Sequence, residues 1–497
     1  MEDSSQRALE KESVTQKDSN KNAPAKSDLI LKISIGLGVL LTALDLTSVG
    51  VSIYPIQESL HVTASAVQWV LLSYLLVVIV AYNISKRFDK LFSYKQIFQY
   101  STIIFILGSL IASITTIYSL VILGRVVQAI GASGILANTK PLLIKYSSSS
   151  SQKSIRNLEN TLFLAGFIIG PLFGSILTFF IGWQSIFLIN VPLGIIGFFL
   201  VAYTIPNSKP KRSSIKLDYY NIGILTTSLF FIMYGISIID KNNLSEALMA
   251  FIFMAVGMYL LIVFYANTKK SSDPLINFKF FTDTKMVVPT ISTIIIYAIL
   301  IIILYQLPIF LQVVNNLTVI SAGLVIVSST VSWIIATLYA GHLVDKYDSK
   351  IILPLTFLGL LFNFIAFILT SMGYFYWFLT FPFTILFGVL VGIITHVNEQ
   401  SIKSLPKNLQ DSAHEFFVLA RNLGLTFGVA VSTVFIVNFI PYYTTFFEPT
   451  VKYWFIYLVS YQSMLLIGAA SAFAGMIITF KGPRIKKEFQ GKKIVIK

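Results

Sequence analysis

The chain has 497 residues, 55% of them hydrophobic and only 12% charged, where a soluble protein of this size carries about 25% charged residues. That balance excludes a large water-exposed domain and points to a polytopic membrane protein. The absence of cysteine excludes a disulfide framework, a thiol nucleophile and a thiolate metal site.

Residues 1–28 form a polar tail rich in Lys, Glu, Ser, Asn and Gln, unable to bury enough apolar surface to fold and expected to be disordered in the cytoplasm. Fourteen apolar segments follow, approximately Leu29–Tyr54, Ala66–Ser85, Ile97–Ile114, Tyr118–Thr139, Leu158–Phe180, Ser185–Ile205, Tyr219–Ile239, Ala247–Asn267, Val287–Val314, Ser321–Ala340, Ile351–Thr370, Tyr376–Val397, Ser412–Asn438 and Tyr453–Phe480. Each is long enough, at about 1.5 Å per residue, to cross about 30 Å of hydrocarbon. The sequence closes on a short basic tail, residues 481–497. The expectation is an all-α membrane fold: a six-helix bundle over residues 29–206, two accessory helices over 207–270 and a second six-helix bundle over 271–480.

Topology follows from Lys and Arg. Every second connection is basic, beginning with Lys86, Arg87, Lys90 and Lys95, while the alternate connections hold only Lys241 and Lys452. This predicts a multi-pass protein of the cytoplasmic membrane with both termini in the cytoplasm. It also accounts for the net charge of +15 as topology determinants touching anionic lipid, and argues against nucleic acid as a partner.

The fifth segment contains Gly166, Gly170, Pro171 and Gly174. Small residues at this spacing let another helix backbone come close in lipid, and a proline inside a helix removes a donor and bends it; these four are candidates for packing and gating. A weak internal repeat places Asp89 after the second segment and Gly341 and Asp345 at the end of the tenth, each in a short basic turn. Tandem halves of this kind are how many secondary transporters are built.

A charge inside a bilayer is expensive and is usually kept for a purpose. Asp45 in the first segment and Arg125 in the fourth lie at matching depths, and the two are expected to face each other or a shared cavity. Burial raises a carboxyl pKa and a nearby Arg lowers it again, so the pair is a candidate proton switch: Asp45 as carrier, Arg125 as the group that tunes it. Tyr54, Trp69, Tyr74, Gln128, Tyr305, Gln306, Gln312 and Arg421 are candidates to line a substrate cavity, with Trp333 and Asn398 of the same ring-and-amide kind. His396, Glu399, His414 and Glu415 are placed at the membrane surface on different helices, which argues against a metal; assistance in releasing protons to the cytoplasm is open. No second deep carboxylate is expected beyond Asp45. No phosphate loop and no Ser/His/Asp cluster is visible, so an enzyme or an ATP-driven pump is not expected.

Several motifs, in order, resemble one family. Gly166-Phe-Ile-Ile-Gly170-Pro171-Leu-Phe-Gly174-Ser175 matches G-x-x-x-G-P-x-x-G-G, with Ser175 replacing the last Gly. Leu44-Asp45-Leu46-Thr47 resembles a first-helix L-D-x-T signature, and Gln68-Trp69 and Tyr74-Leu75 fit the second helix. Arg125-Val-Val-Gln128-Ala129-Ile-Gly131 resembles R-x-x-Q-G-x-G, Trp183 to Gly194 fits the start of the sixth helix, and Arg421-Asn-Leu-Gly424 fits the penultimate one. On these motifs the chain resembles the fourteen-helix drug:proton antiporters of the major facilitator superfamily. The loop motif G-x-L-x-D-R-x-G-R-K is eroded around Asp89, whereas the second copy keeps Gly341, Leu343 and Asp345; the resemblance implies that this loop latches the two halves together. It further implies a monomer that exports small amphipathic or lipophilic compounds against protons by alternating access, without a cofactor. A metabolite or lipid transporter on the same fold is the alternative.

Overall fold

The computed structural model describes residues 28–146, 152–208, 217–239, 243–271, 276, 284–371, 380–403, 405, 407–444 and 449–480. The expected tail over residues 1–27, the serine run 147–151 and the basic tail 481–497 lie outside the described residues. Among the described residues fourteen helices are long and apolar enough to span a bilayer, the sixth together with the turn that precedes it. They are α1 Asp28–Leu60, α2 Trp69–Arg87, α3 Tyr94–Ser113, α4 Tyr118–Tyr146, α5 Gln152–Phe180, α6 Asn190–Thr204, α7 Tyr219–Ser237, α8 Leu244–Lys270, α9 Thr284–Val313, α10 Val319–Lys346, α11 Ser349–Ser371, α12 Thr380–Lys403, α13 Lys407–Thr444 and α14 Pro449–Phe480. Single turns, Ala64–Val67 and Ser185–Leu188, lead into α2 and α6.

Local chemistry sets several helix ends. Ser93 and Gln96 form a reciprocal capping box at the start of α3, satisfying donors that the first turn leaves unpaired. Asp218, Asn243 and Thr318 cap α7, α8 and α10 through their side-chain oxygens. At the end of α6, the Lys95 ammonium donates to the carbonyls of Ala202 and Ile205 and to Asn207 Oδ1, at 2.9, 2.6 and 2.9 Å. A cation there completes carbonyls the helix cannot satisfy and complements its dipole.

Helix pairing repeats along the chain. In the first half α1 packs on α5 and α6, α2 on α4, and α3 on α4 and α6; in the second, α9 packs on α13 and α14, α10 on α12, and α11 on α12 and α14. The two halves are therefore the same six-helix bundle built twice. They meet along three seams: α1 on α9, α5 on α10, and α2 on α13. The accessory helices α7 and α8 pack on each other, and α7 also touches α2 and α13. It thus lies along one of the seams between the halves.

The α5 glycines point at α1. A Cβ on Gly166 would come within 2.5 Å of Ala43 Cβ, and one on Gly174 within 2.8 Å of Ser48 Cα. Hydroxyls use that approach: Thr47 donates to the Gly166 carbonyl at 3.2 Å and Ser48 to the Gly170 carbonyl at 3.0 Å. Without a hydrophobic force between helices in lipid, close packing and such bonds hold the pair. Across the seam to the second half, Ser175 and the Pro171 carbonyl press on Gly323 of α10.

Candidate functional site

Asp45 lies midway along α1, because α1 runs six residues past Tyr54, the end expected from hydropathy. Its carboxylate is 1% exposed and Arg125, from α4, is fully buried. Arg125 Nη1 donates to Asp45 Oδ2 at 2.5 Å and to Gln128 Oε1 at 2.7 Å, and its Nε donates to the Val70 carbonyl of α2 at 2.9 Å. Two amides complete the carboxylate: Gln128 Nε2 and Asn190 Nδ2 each donate to Asp45 Oδ1 at 2.9 Å. Gln128 is fixed in turn by Ser109 of α3 at 2.7 Å. The Tyr74 ring lies 4.3 Å from the guanidinium and Phe187 lies 5.4 Å from it, within range for cation–π attraction in a desolvated site.

Burying two ions costs several kcal/mol per ion in real proteins, offset only when geometry is good and the remaining lone pairs are satisfied. Five elements of the first half supply those partners here. Two of the three donors on the carboxylate are primary amides, which carry both donors and an acceptor. Turned over, an amide accepts from a protonated carboxyl as readily as it donates to an ionised one. Asn190 Oδ1 and Arg125 Nη2 have no hydrogen-bond partner among the described residues.

A second polar cluster lies in the second half and faces the first half at α5. Adjoining cavities of about 50 and 30 Å³ share Tyr297 of α9, Thr395 and Glu399 of α12, and Arg421 of α13. Phe163 and Leu164 of α5 close one wall from the first half. The Arg421 guanidinium sits 4.1 Å from the Phe163 ring. Trp333, whose indole donates to Thr395 at 3.1 Å, stands edge-on to Phe167 at 5.3 Å and to Tyr297 at 6.3 Å. Toward the end of the bundle where α1 begins and α14 ends, here the terminal side, a larger vestibule of about 260 Å³ is lined by Tyr82, Lys86, Asp89, Lys140, His414 and Glu415, among others.

The expected cavity residues divide. Tyr74 and Gln128 join the Asp45–Arg125 network, whereas Arg421 and Trp333 line the 30 Å³ cavity between the halves and Asn398 lines the 50 Å³ cavity inside the second half. Gln312 donates to the Val51 carbonyl at 3.3 Å and so pins α9 to α1 on the side opposite the termini. Trp69 faces accessory helix α7, 5.6 Å from Phe230 and 6.3 Å from Tyr234, in an apolar groove. Tyr305 is fully buried, and Gln306 donates to the Ser432 carbonyl and Met464 Sδ at 3.0 and 2.9 Å inside the second half. Trp69, Tyr305 and Gln306 thus stand apart from the space between the halves, because their helix faces turn into neighbouring helices. Tyr54 lies near the far end of α1 and lines none of the four cavities described here.

Two expectations need correction. Glu399 is not at a surface loop: α12 continues through it to Lys403, and the carboxylate lines the internal cavities, so Asp45 is not the sole carboxylate within the helices. The cross-half contact near the first basic turn is made by Lys86, whose ammonium lies 2.7 Å from Glu415 of α13. Asp89 instead accepts from Tyr94 at 3.3 Å on its own half. Gly341 faces His396, and the Asp345 side chain lies outside the described residues. Asn190 was not among the expected site residues; an uncharged side chain 145 positions from Asp45 carries no signal in spacing or charge.

The Major Facilitator Superfamily profile matches residues 35–429. The chain belongs to the major facilitator superfamily. Membership makes it a multi-pass membrane transporter and not an enzyme. It is 24% identical over 458 residues to the riboflavin transporter RibZ of Clostridioides difficile, covering 91% of this chain and 97% of that one. It is 23% identical over 416 residues to multidrug resistance protein 3 of Bacillus subtilis, covering 82% and 80%. In fold it is similar to a bacterial homologue of the lysosomal transporter Spinster, with a TM-score of 0.64 at 14% identity, over 92% of this chain and 97% of that one. Within the superfamily's two-bundle architecture, the Asp45 network belongs to the first bundle alone and the Glu399–Arg421 cavities to the second bundle where it faces α5.

Proposed function

We propose that the protein is a proton-coupled exporter of small, flat amphipathic compounds in the cytoplasmic membrane. It works by rocking its two bundles about their shared seams, with both termini in the cytoplasm. The observation that carries this reading is the Asp45 carboxylate, buried midway through α1 beside Arg125 and held by amides able to serve either protonation state. The carboxylate is bonded to α4 and α6 as well as carried by α1, so gain or loss of its proton alters contacts among three helices. The α5 glycines and Pro171 supply the close, bendable contact on which α1 and its carboxylate ride. The vestibule of about 260 Å³, lined by Tyr82, Tyr94 and Asn138 among others, offers the rings and an amide that suit ring-bearing cargo. The likeness to a multidrug resistance protein favours broad selectivity. The likeness to a riboflavin transporter, which spans nearly the whole of both chains, favours a second reading: one heteroaromatic metabolite as cargo.

The test is cargo accumulation in proteoliposomes under an imposed pH gradient, with a panel of lipophilic dyes run against riboflavin and other metabolites. Accumulation of several dyes that collapses with the gradient supports the multidrug reading, and accumulation of one metabolite alone supports the second. Uptake indifferent to the gradient rejects proton coupling in both.

A further inference from the structure

The Asp45 network lines none of the cavities that reach toward the termini, yet a proton that couples transport must enter and leave by water on that side too. Three cavities that share lining residues step instead from the terminal side to Glu399. His414 lines both the 260 Å³ vestibule and the 50 Å³ cavity. Glu399 and Arg421 line both that cavity and the 30 Å³ one against Phe163. Volumes this small admit a few water molecules and no organic cargo, since one probe sphere of about 10–15 Å³ already accommodates a water. The walls keep hydrogen-bonding capacity in reserve. Asn398 is 2% exposed and binds Ser292 and Thr293 through Nδ2, while its Oδ1 and Arg421 Nε have no hydrogen-bond partner among the described residues.

From this geometry we infer that Glu399 exchanges the transported proton with the terminal side of the membrane, through His414 as relay. The proton passes from vestibule water to the His414 imidazole and from there to a Glu399 carboxylate oxygen, and it leaves by the reverse path. The groups facing Glu399 are Lys403 on its own helix, Arg421 and His414 from α13, and Tyr297 from α9; α5 and α10 present Phe163, Leu164, Trp333 and Thr337. Protonation neutralises the anion facing Arg421, whose guanidinium sits on Phe163 of α5, and so alters the contact between the bundles at that point. This site rests on the proton-coupled reading above and places its terminal-side exchange in the second bundle.

The experiment needs no cargo. Full-length protein in lipid is titrated with infrared detection of the protonated-carboxyl C=O stretch, in wild type, Glu399→Gln, Glu399→Asp, His414→Gln and Asp45→Asn. The inference expects a titrating band that Glu399→Gln removes, Glu399→Asp keeps at a shifted frequency, and Asp45→Asn leaves in place. After a pH jump on the terminal side, His414→Gln slows the band's response by about tenfold or more, the scale expected for a lost acid–base group. A monodisperse Glu399→Gln protein that keeps the whole band overturns the site, and an unchanged rate in His414→Gln overturns the relay. A wild type that shows the band but no gradient-driven cargo uptake would instead reject the exporter reading while leaving the site standing.

Discussion

Asp45 is held by one guanidinium and two amides, and each partner has a separate measurable weight. Asp45→Asn leaves the Arg125 charge buried without its counter-ion, a change that costs about 3–5 kcal/mol. Asn190→Ala removes one hydrogen bond to a charged acceptor, about 1.5–3 kcal/mol, and Gln128→Ala removes such a bond together with those to Arg125 and Ser109. Thermal unfolding in detergent should therefore rank Asp45→Asn as more destabilised than Asn190→Ala, with Gln128→Ala below wild type as well. Equal melting temperatures for all four would contradict the buried network. The pairing of Asp45 with Arg125 was legible in the sequence because charges in apolar segments are few and their depth can be counted from helix ends. Asn190 was not legible, since an amide among many amides carries no such cost. Glu399 was misplaced because hydropathy ends the twelfth segment at Val397, while the helix itself carries on until Lys403.

At the scale of elements, the α5 glycines make a prediction with its own control. Gly174→Val puts a branched side chain where even a Cβ meets Ser48 Cα at 2.8 Å, backbone that cannot step aside. Transport and thermal stability should both fall. Gly223→Ala on α7 meets nothing within 4 Å and should leave the melting temperature unchanged or raise it, since Ala gains up to about 1 kcal/mol over Gly in a helix interior. The small-residue spacing said that α5 is closely packed but not against what. Both α1 within the bundle and α10 across the seam turned out to use it. Lys86 and Glu415 are partly exposed, with side chains 22% and 50% accessible, so their pairing is worth about 0.2–1 kcal/mol. Cysteines at these two positions should be bridged by a short bifunctional thiol cross-linker that spans the length of the two lost side chains, in a chain with no native cysteine to compete. Failure to cross-link would remove the α2–α13 contact. That contact was not legible because the expected latch residue, Asp89, faces its own half.

For the whole molecule, the bundles are closed on the side opposite the termini, where Gln312 pins α9 to Val51 and Ser175 presses on Gly323. The described polar cavities open toward the terminal side. A single cysteine at Ile144, 42% exposed and in the vestibule lining, should react with a membrane-impermeant thiol reagent added on the terminal side, whereas one at Ser48, buried in the α1–α5 contact, should not. Reaction at both positions would contradict this closure. Fourteen spans were readable because hydropathy alone dictates them, and the two halves showed faintly in a repeated acidic-basic turn. The accessory pair divides: α8 exposes Phe251, Ile252 and Ile262, whereas α7 packs at the α2–α13 seam. That contact depends on tertiary packing, and no local pattern encodes it.

The central claim is that cargo and protons move in opposite directions. It is tested by the lumenal pH of proteoliposomes when a transported dye is added on the terminal side. Antiport carries dye in and protons out, so the lumen should turn alkaline in wild type and stay constant in Asp45→Asn. A lumen that turns acidic, or a wild type that accumulates dye with no pH change, would contradict the account.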